Sequence, residues 1–240
     1  MTNASTLLRA PVSRRIAARI AEHARACELF RDLGQALGVR DLRVSGEFGL
    51  VEGSIHDQEK LLPYAHAGDW APFGFDYLSE FFCRSHCGTF IDGGAGIGLW
   101  TLGIAREEFV VCKSFEADAE NFNYLASIVR RNCPNGNVEI LNASALELDR
   151  HLNMDNLRQP LAVKLDIREI DQAILGAAAV LGAAQIAVIN AWPRQAQSWE
   201  ILTRSFASAA IMRVPNHELV WRTPRELIRP AGTFEILLKK

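Results

Sequence analysis

No apolar run in this chain approaches the roughly 18 residues that a membrane span requires, and its first residues form no signal-peptide core. A cytoplasmic protein with no membrane partner is therefore expected. Charge of one sign is also lacking: 26 Lys and Arg stand against 28 Asp and Glu, a net charge of −2. Surfaces that grip polyanions carry a marked basic excess, so a nucleic-acid partner is not expected. The five cysteines, Cys27, Cys83, Cys87, Cys112 and Cys133, are too few and odd in number for a disulfide framework, and reduced thiols are the expectation. Cys83 and Cys87 flank His86, but no second pair has ligand spacing, so no metal is expected. Repeats and low-complexity tracts are absent as well.

What remains is an ordinary globular composition. Apolar residues make up 49 % and charged residues 22 % of 240 positions, enough for one α/β domain with an extension and a core that needs no staples.

The stretch Thr89 to Glu116 organises that domain. Thr89-Phe90-Ile91-Asp92 suits a buried strand and runs into Gly93-Gly94-Ala95-Gly96-Ile97-Gly98. Leu99 to Arg106 reads as a helix, and Phe109 to Phe115 as a second strand that ends on Glu116. Glycines allow a sharp exit from a strand and let a ligand approach the main chain. An acid closing the neighbouring strand can accept both hydroxyls of a ribose. The dinucleotide pattern G-x-G-x-x-G lacks its third glycine in both registers, because Leu99 and Thr101 stand there. The expected ligand is thus a ribose-bearing molecule outside the nicotinamide and flavin class.

The D-x-G-x-G-x-G of Asp92 to Gly98 resembles the first motif of class I S-adenosylmethionine-dependent methyltransferases. Together with S-F-E-A-D-A-E-N-F-N-Y-L (114–125), K-L-D-I (164–167) and I-L-G-A-A-A-V-L (174–181), the chain resembles the FkbM family of these enzymes. That resemblance implies an α/β, Rossmann-like class I methyltransferase fold: a seven-stranded, mostly parallel sheet with helices on both faces and an N-terminal helical and hairpin extension. It implies S-adenosylmethionine as cofactor and a hydroxyl of a glycan, secondary metabolite or other small molecule as methyl acceptor. Asp92, Gly93, Gly94, Ala95, Gly96, Gly98, Glu116, Ala117, Ser144, Ala145 and Asp166 are the expected cofactor contacts, with Ser144 where relatives usually carry an acid against the adenine. Asp166 is the candidate catalytic base, and His56 and His66 are the alternatives. One departure stands out. The family continues its fourth strand as I-D-V-E-G-A-E, whereas this chain has Arg168 and Glu169 in that run, which bears on the acceptor and on turnover. A cofactor-binding module without catalysis and an RNA methyltransferase, the latter resting on Arg130, Arg131, Arg222 and Arg225, are the alternative readings.

In chain order, residues 1–75 are expected to form a helix and lid-like extension, and residues 76–240 the cofactor-binding domain. Ile16, Ile20, Cys27, Phe30, Leu33 and Leu37 predict an amphipathic helix from Ser13 to Leu37. It covers one face of the core or, alternatively, pairs with a second copy in a homodimer. Asp41 to Ser54 alternates like a hairpin, and the segment from Pro63 to Trp70 can fold over the site. Asp118 is a candidate N-cap for a helix through Asn132. Further strands are expected at 138–142, 161–166, 185–190, 209–214 and 233–238, with a helical stripe through Ile170, Ile174, Leu175, Ala178 and Leu181.

Overall fold

The computed structural model describes residues 28–29, 31–57, 60–67, 74–212, 219–229 and 234–240. The chain divides into two units, residues 1–70 and 71–240. Most of the expected helix from Ser13 to Leu37, and residues 68–70 at the end of the lid-like stretch, lie outside the described residues.

In the first unit, strands β1 (Asp41–Gly46) and β2 (Gly49–Ser54) form an antiparallel hairpin. Glu47 and Phe48 make its turn, and Gly49 follows with φ 99°. Helix α1 (Leu61–Ala67) anchors the hairpin through Tyr64. The Tyr64 hydroxyl accepts from the Phe48 N–H at 2.9 Å and donates to the Gly49 carbonyl at 3.1 Å. The expected alternation holds in β1, whose residues alternate between exposed and half-buried, whereas Val51, Glu52 and Gly53 of β2 are all buried.

The second unit contains α2 (Phe75–Ser85), β3 (Gly88–Gly93), α3 (Leu99–Ala105), β4 (Val110–Phe115), α4 (Ala119–Asn132) and β5 (Val138–Leu141). After them come α5 (Leu148–His151), β6 (Leu161–Leu165), α6 (Ile170–Gly176), α7 (Ala178–Ala183), β7 (Ile186–Ile189), α8 (Ala196–Ser205), β8 (Ser208–Met212) and β9 (Glu235–Lys239). The sheet order is β5-β4-β3-β6-β7-β9-β8. Only β9 runs antiparallel to its neighbours. From β3 the chain winds outward through β4 and β5, then returns to β6 on the other side and winds outward again. Right-handed crossovers in these opposite directions place helices on both faces of the sheet.

The seven-stranded, mostly parallel α/β architecture is therefore present. β3 and β6 are buried at every position, as strands covered on both faces must be. The reversal of winding falls between β3 and β6, and in such sheets the crevice for a ligand opens at the carboxyl ends of the strands at this point. No helix among the described residues is long and apolar enough to cross a membrane.

One expectation is corrected. The stripe from Ile170 to Leu181 is two helices, broken at Ala177. A Cβ on Gly176 would collide with the Leu146 carbonyl, and the Asp149 carboxylate accepts from the N–H groups of Ala179 and Val180 at 2.8 and 3.0 Å. A residue far off in sequence thus caps a new helix where the periodicity alone suggests continuity.

Candidate functional site

β3 delivers Asp92 and Gly93 to the crevice, and the glycine loop follows. Asp92 is fully buried, 0 % exposed. Its carboxylate accepts from the Thr101 hydroxyl at 2.8 Å and from Lys164 Nζ at 2.9 Å. Lys164, also 0 % exposed, donates in addition to the Gly94 carbonyl at 2.8 Å and lies 3.7 Å from Asp166 Oδ2. Burial by itself pushes the Lys164 ammonium towards neutrality, but the charges of Asp92 and then Asp166 outweigh it, and its pKa ends above the ordinary lysine value. A buried cation therefore ties together the end of β3, the start of the loop and the end of β6.

Gly94, Gly96 and Gly98 all have positive φ, at 76°, 59° and 90°. A Cβ at Gly94 would strike the Asp166 carbonyl, so the loop and the end of β6 approach as closely as a glycine permits. Gly94 and Ala95 donate to the Phe115 carbonyl at 3.0 and 2.9 Å. Gly96 donates to Glu116 Oε2 at 2.6 Å, and Asp118 donates to Glu116 Oε1 at 2.9 Å. The first amides of the loop are thus occupied within the chain. What the loop offers a ligand is main chain without a Cβ, and its partly exposed residues are Gly94 and Gly96.

The residues expected at the site fall into three groups. Gly94, Gly96, Glu116 and Asp166 line the rim at the ends of β3, β4 and β6; Glu116 is 9 % exposed and the Asp166 side chain 30 %. Asp92, Gly93, Ala95, Gly98 and Ala145 are buried beneath or behind it. Ala95 belongs to the cluster of Leu125 and Val129, and Ala145 sits against Gly93. Ala117 and Ser144 continue the rim after β4 and β5. The Ser144 hydroxyl accepts from the Leu146 N–H at 3.2 Å and so caps the short turn that follows it. His56 and His66 are exposed residues of the first unit.

Three rim residues escape a reading of the sequence. Lys164 had one local signal, a cation inside the otherwise apolar run Leu161 to Leu165. Asn142 donates to the Glu116 carbonyl at 2.9 Å and so joins the ends of β4 and β5. Glu235 of β9 is buried and accepts from the Gly74 N–H, 161 positions away, and no local pattern announces that pairing. Burial raises its pKa to about 7; the Gly74 bond draws it down, Asp166 pushes it up and Lys164 draws it down.

Beyond Asp166, a cavity of about 450 Å³ opens between the segments after β6 and β7. Asp171 on its wall accepts from the Arg194 and Gln195 N–H groups at 3.0 Å and from the Ser198 hydroxyl at 2.7 Å. Burial acts to raise its pKa, but these donors prevail and hold it below the usual aspartate value. Asp171 therefore joins the loop after β7 to α6. Among the described residues no group of three His, Cys, Asp or Glu side chains has the geometry to hold a metal. Cys83 and Cys87 donate to different acceptors, the Glu107 carboxylate and the Gln159 carbonyl.

The sequence matches no family model and no curated protein. Among solved structures, the chain is similar to an rRNA methylase from Streptococcus thermophilus at 12 % identity and TM-score 0.48, over 72 % of this chain and 99 % of that one. It is also similar to precorrin-6y C5,15-methyltransferase from Geobacter metallireducens, at 12 % identity and TM-score 0.43 over 64 % and 80 % of the two chains. A third similar structure is the bifunctional kinase-methyltransferase WbdD, at 12 % identity and TM-score 0.45 over 69 % and 37 %.

Proposed function

We propose that this chain is an S-adenosylmethionine-dependent methyltransferase that methylates a hydroxyl of a glycan or other small acceptor, as its resemblance to the FkbM family implies. The observation that carries the reading is the contact between the Glu116 carboxylate and the Gly96 amide at 2.6 Å, which sets an acid beside a loop surface free of Cβ atoms at the switch point of the sheet.

The residues present suit the cofactor. Each Glu116 oxygen accepts one backbone N–H and retains a lone pair for a ribose hydroxyl. Gly94 and Gly96 allow close approach to the main chain, and Ala117 and Ser144 continue the rim towards the adenine. When bound, S-adenosylmethionine supplies an electrophilic methyl: a carbon–oxygen bond to the acceptor forms as the carbon–sulfur bond breaks, sulfur keeps the electron pair, and the hydroxyl proton passes to a base.

The protein's own contribution is orientation, for which roughly 7–11 kcal/mol is available in well-aligned reactions. Asp166 is the candidate base, partly exposed at the rim, and it would add about 10²–10⁴ in rate. His56 and His66 are the alternatives.

Glu116→Ala is expected to weaken S-adenosylmethionine by about 1.5–3 kcal/mol, the range for a hydrogen bond to a charged group. Calorimetric titration measures this, and unchanged affinity in a folded variant overturns the reading. An RNA methyltransferase is the second reading, and binding of RNA that weakens with salt while small hydroxylated acceptors stay unmodified would favour it.

A further inference from the structure

The cavity beyond Asp166 is walled by arginines from three separate segments: Arg168 after β6, Arg194 after β7 and Arg229 ahead of β9. All three are exposed, and among the described residues none forms an ion pair. Two acids share the wall. Asp171 is bound by two backbone N–H groups and a hydroxyl, and Glu169 is exposed with no side-chain bond to the helix it precedes. Three arginines thus line one cavity: the charge of Arg194 acts on Asp171 without forming a close ion pair, and among the described residues Arg168 and Arg229 have no carboxylate in ion-pair contact. Planar forks of this kind match the oxygens of a phosphoryl group.

The rest of the lining sets the size and character of the guest. Trp192 stands against Trp199 and Phe234 at ring-centre distances of 5.1 and 6.0 Å, a braced aromatic wall. Asn190, at the end of β7, also lines the cavity, and its Oδ1 has no hydrogen-bond donor among the described residues. A volume of about 450 Å³ suits a small molecule, and sites of a few hundred cubic ångströms hold ligands of that size. The cavity also adjoins the methyl-transfer rim in sequence: Arg168 lies two positions beyond Asp166, whose N–H bonds the Gly93 carbonyl at 3.0 Å.

We infer that this cavity binds the phosphoryl group of a small phosphorylated, hydroxyl-bearing acceptor. The inference rests on the methyltransferase reading for the word acceptor, and on the arginines alone for the phosphoryl group. Arg168, the departure from the FkbM pattern, then selects an anionic substrate.

The test is calorimetric titration of the full chain with glucose 6-phosphate, AMP, glucose and a short single-stranded RNA, with inorganic phosphate as competitor. A phosphorylated small molecule, sugar or nucleotide, is expected to bind where glucose does not, and phosphate is expected to displace it. Arg168→Gln, Arg194→Gln and Arg229→Gln should each weaken it about tenfold, or 1.4 kcal/mol. Arg130→Gln, on the exposed end of α4, should leave it unchanged. Equal binding of glucose, RNA binding without small-phosphate binding, or affinity that all three variants preserve overturns the inference. Thermal melts of each variant separate lost binding from lost folding. S-adenosylmethionine is titrated separately: its failure to bind, with the arginine-dependent phosphate binding intact, removes the methyltransferase reading alone, and the converse removes only the phosphate subsite.

Discussion

Lys164 is the residue on which the rim depends most. A buried ammonium is tolerated only because Asp92 and the Gly94 carbonyl surround it, and the dependence is mutual, since Asp92 is equally buried. Lys164→Met should therefore destabilise the fold by about 3–5 kcal/mol, the cost of leaving a buried charge without its partner. Adding Asp92→Asn in the same chain should recover much of that loss, and denaturant midpoints of the single and double variants check it. Gly94→Ala tests the other constraint at this point. With φ at 76° and the Asp166 carbonyl in the path of a Cβ, the variant should lose about 1–3 kcal/mol, whereas Gly182→Ala, where a Cβ meets nothing, should be neutral or better. The glycines were legible as a sharp turn out of β3. That their amides point to Phe115 and Glu116 rather than outward was not, because the direction of an N–H depends on the strand beside it.

Elements with local causes were read well. The helix after Asp118 runs from Ala119 to Asn132, and the Asp118 carboxylate accepts from the Asn121 N–H at 2.9 Å. Asp118→Ala should cost about 1 kcal/mol, the usual value of an N-cap, seen as a lower melting temperature with the fold retained. The strands were legible as apolar runs at the right spacing. The break at Ala177 was not, because its causes, Leu146 and Asp149, come from a segment about 30 positions earlier, and periodicity carries no information about such partners. Asp171 repeats the lesson: the folded chain uses it to hold the loop of Arg194 and Gln195, partners more than 20 positions later in the sequence.

At the scale of the molecule, the sheet draws charges from distant segments to one rim, and Glu235 bears the consequence. Its pKa of about 7 exceeds the ordinary glutamate value near 4.3. Between these two values the unfolded chain releases the proton while the folded chain keeps it, so stability falls as pH rises through that window and levels off above it. The loss amounts to roughly 4 kcal/mol at 1.36 kcal/mol for each unit of pKa. Glu235→Gln keeps an acceptor for the Gly74 N–H and cannot ionise, so it should be more stable than the parent at pH 8 and close to it at pH 4. Urea midpoints at both values check this, and an equal gain at both would count against the titration.

The place of β9 between β7 and β8 also orders events in time. During synthesis β7 and β8 leave the ribosome well before β9, so the apolar edge of Ile186 to Ile189 waits open, a template for pairing with another chain. A chaperone that shields nascent strand edges should therefore raise the yield of this protein, and a chain halted at residue 234 should aggregate rather than fold.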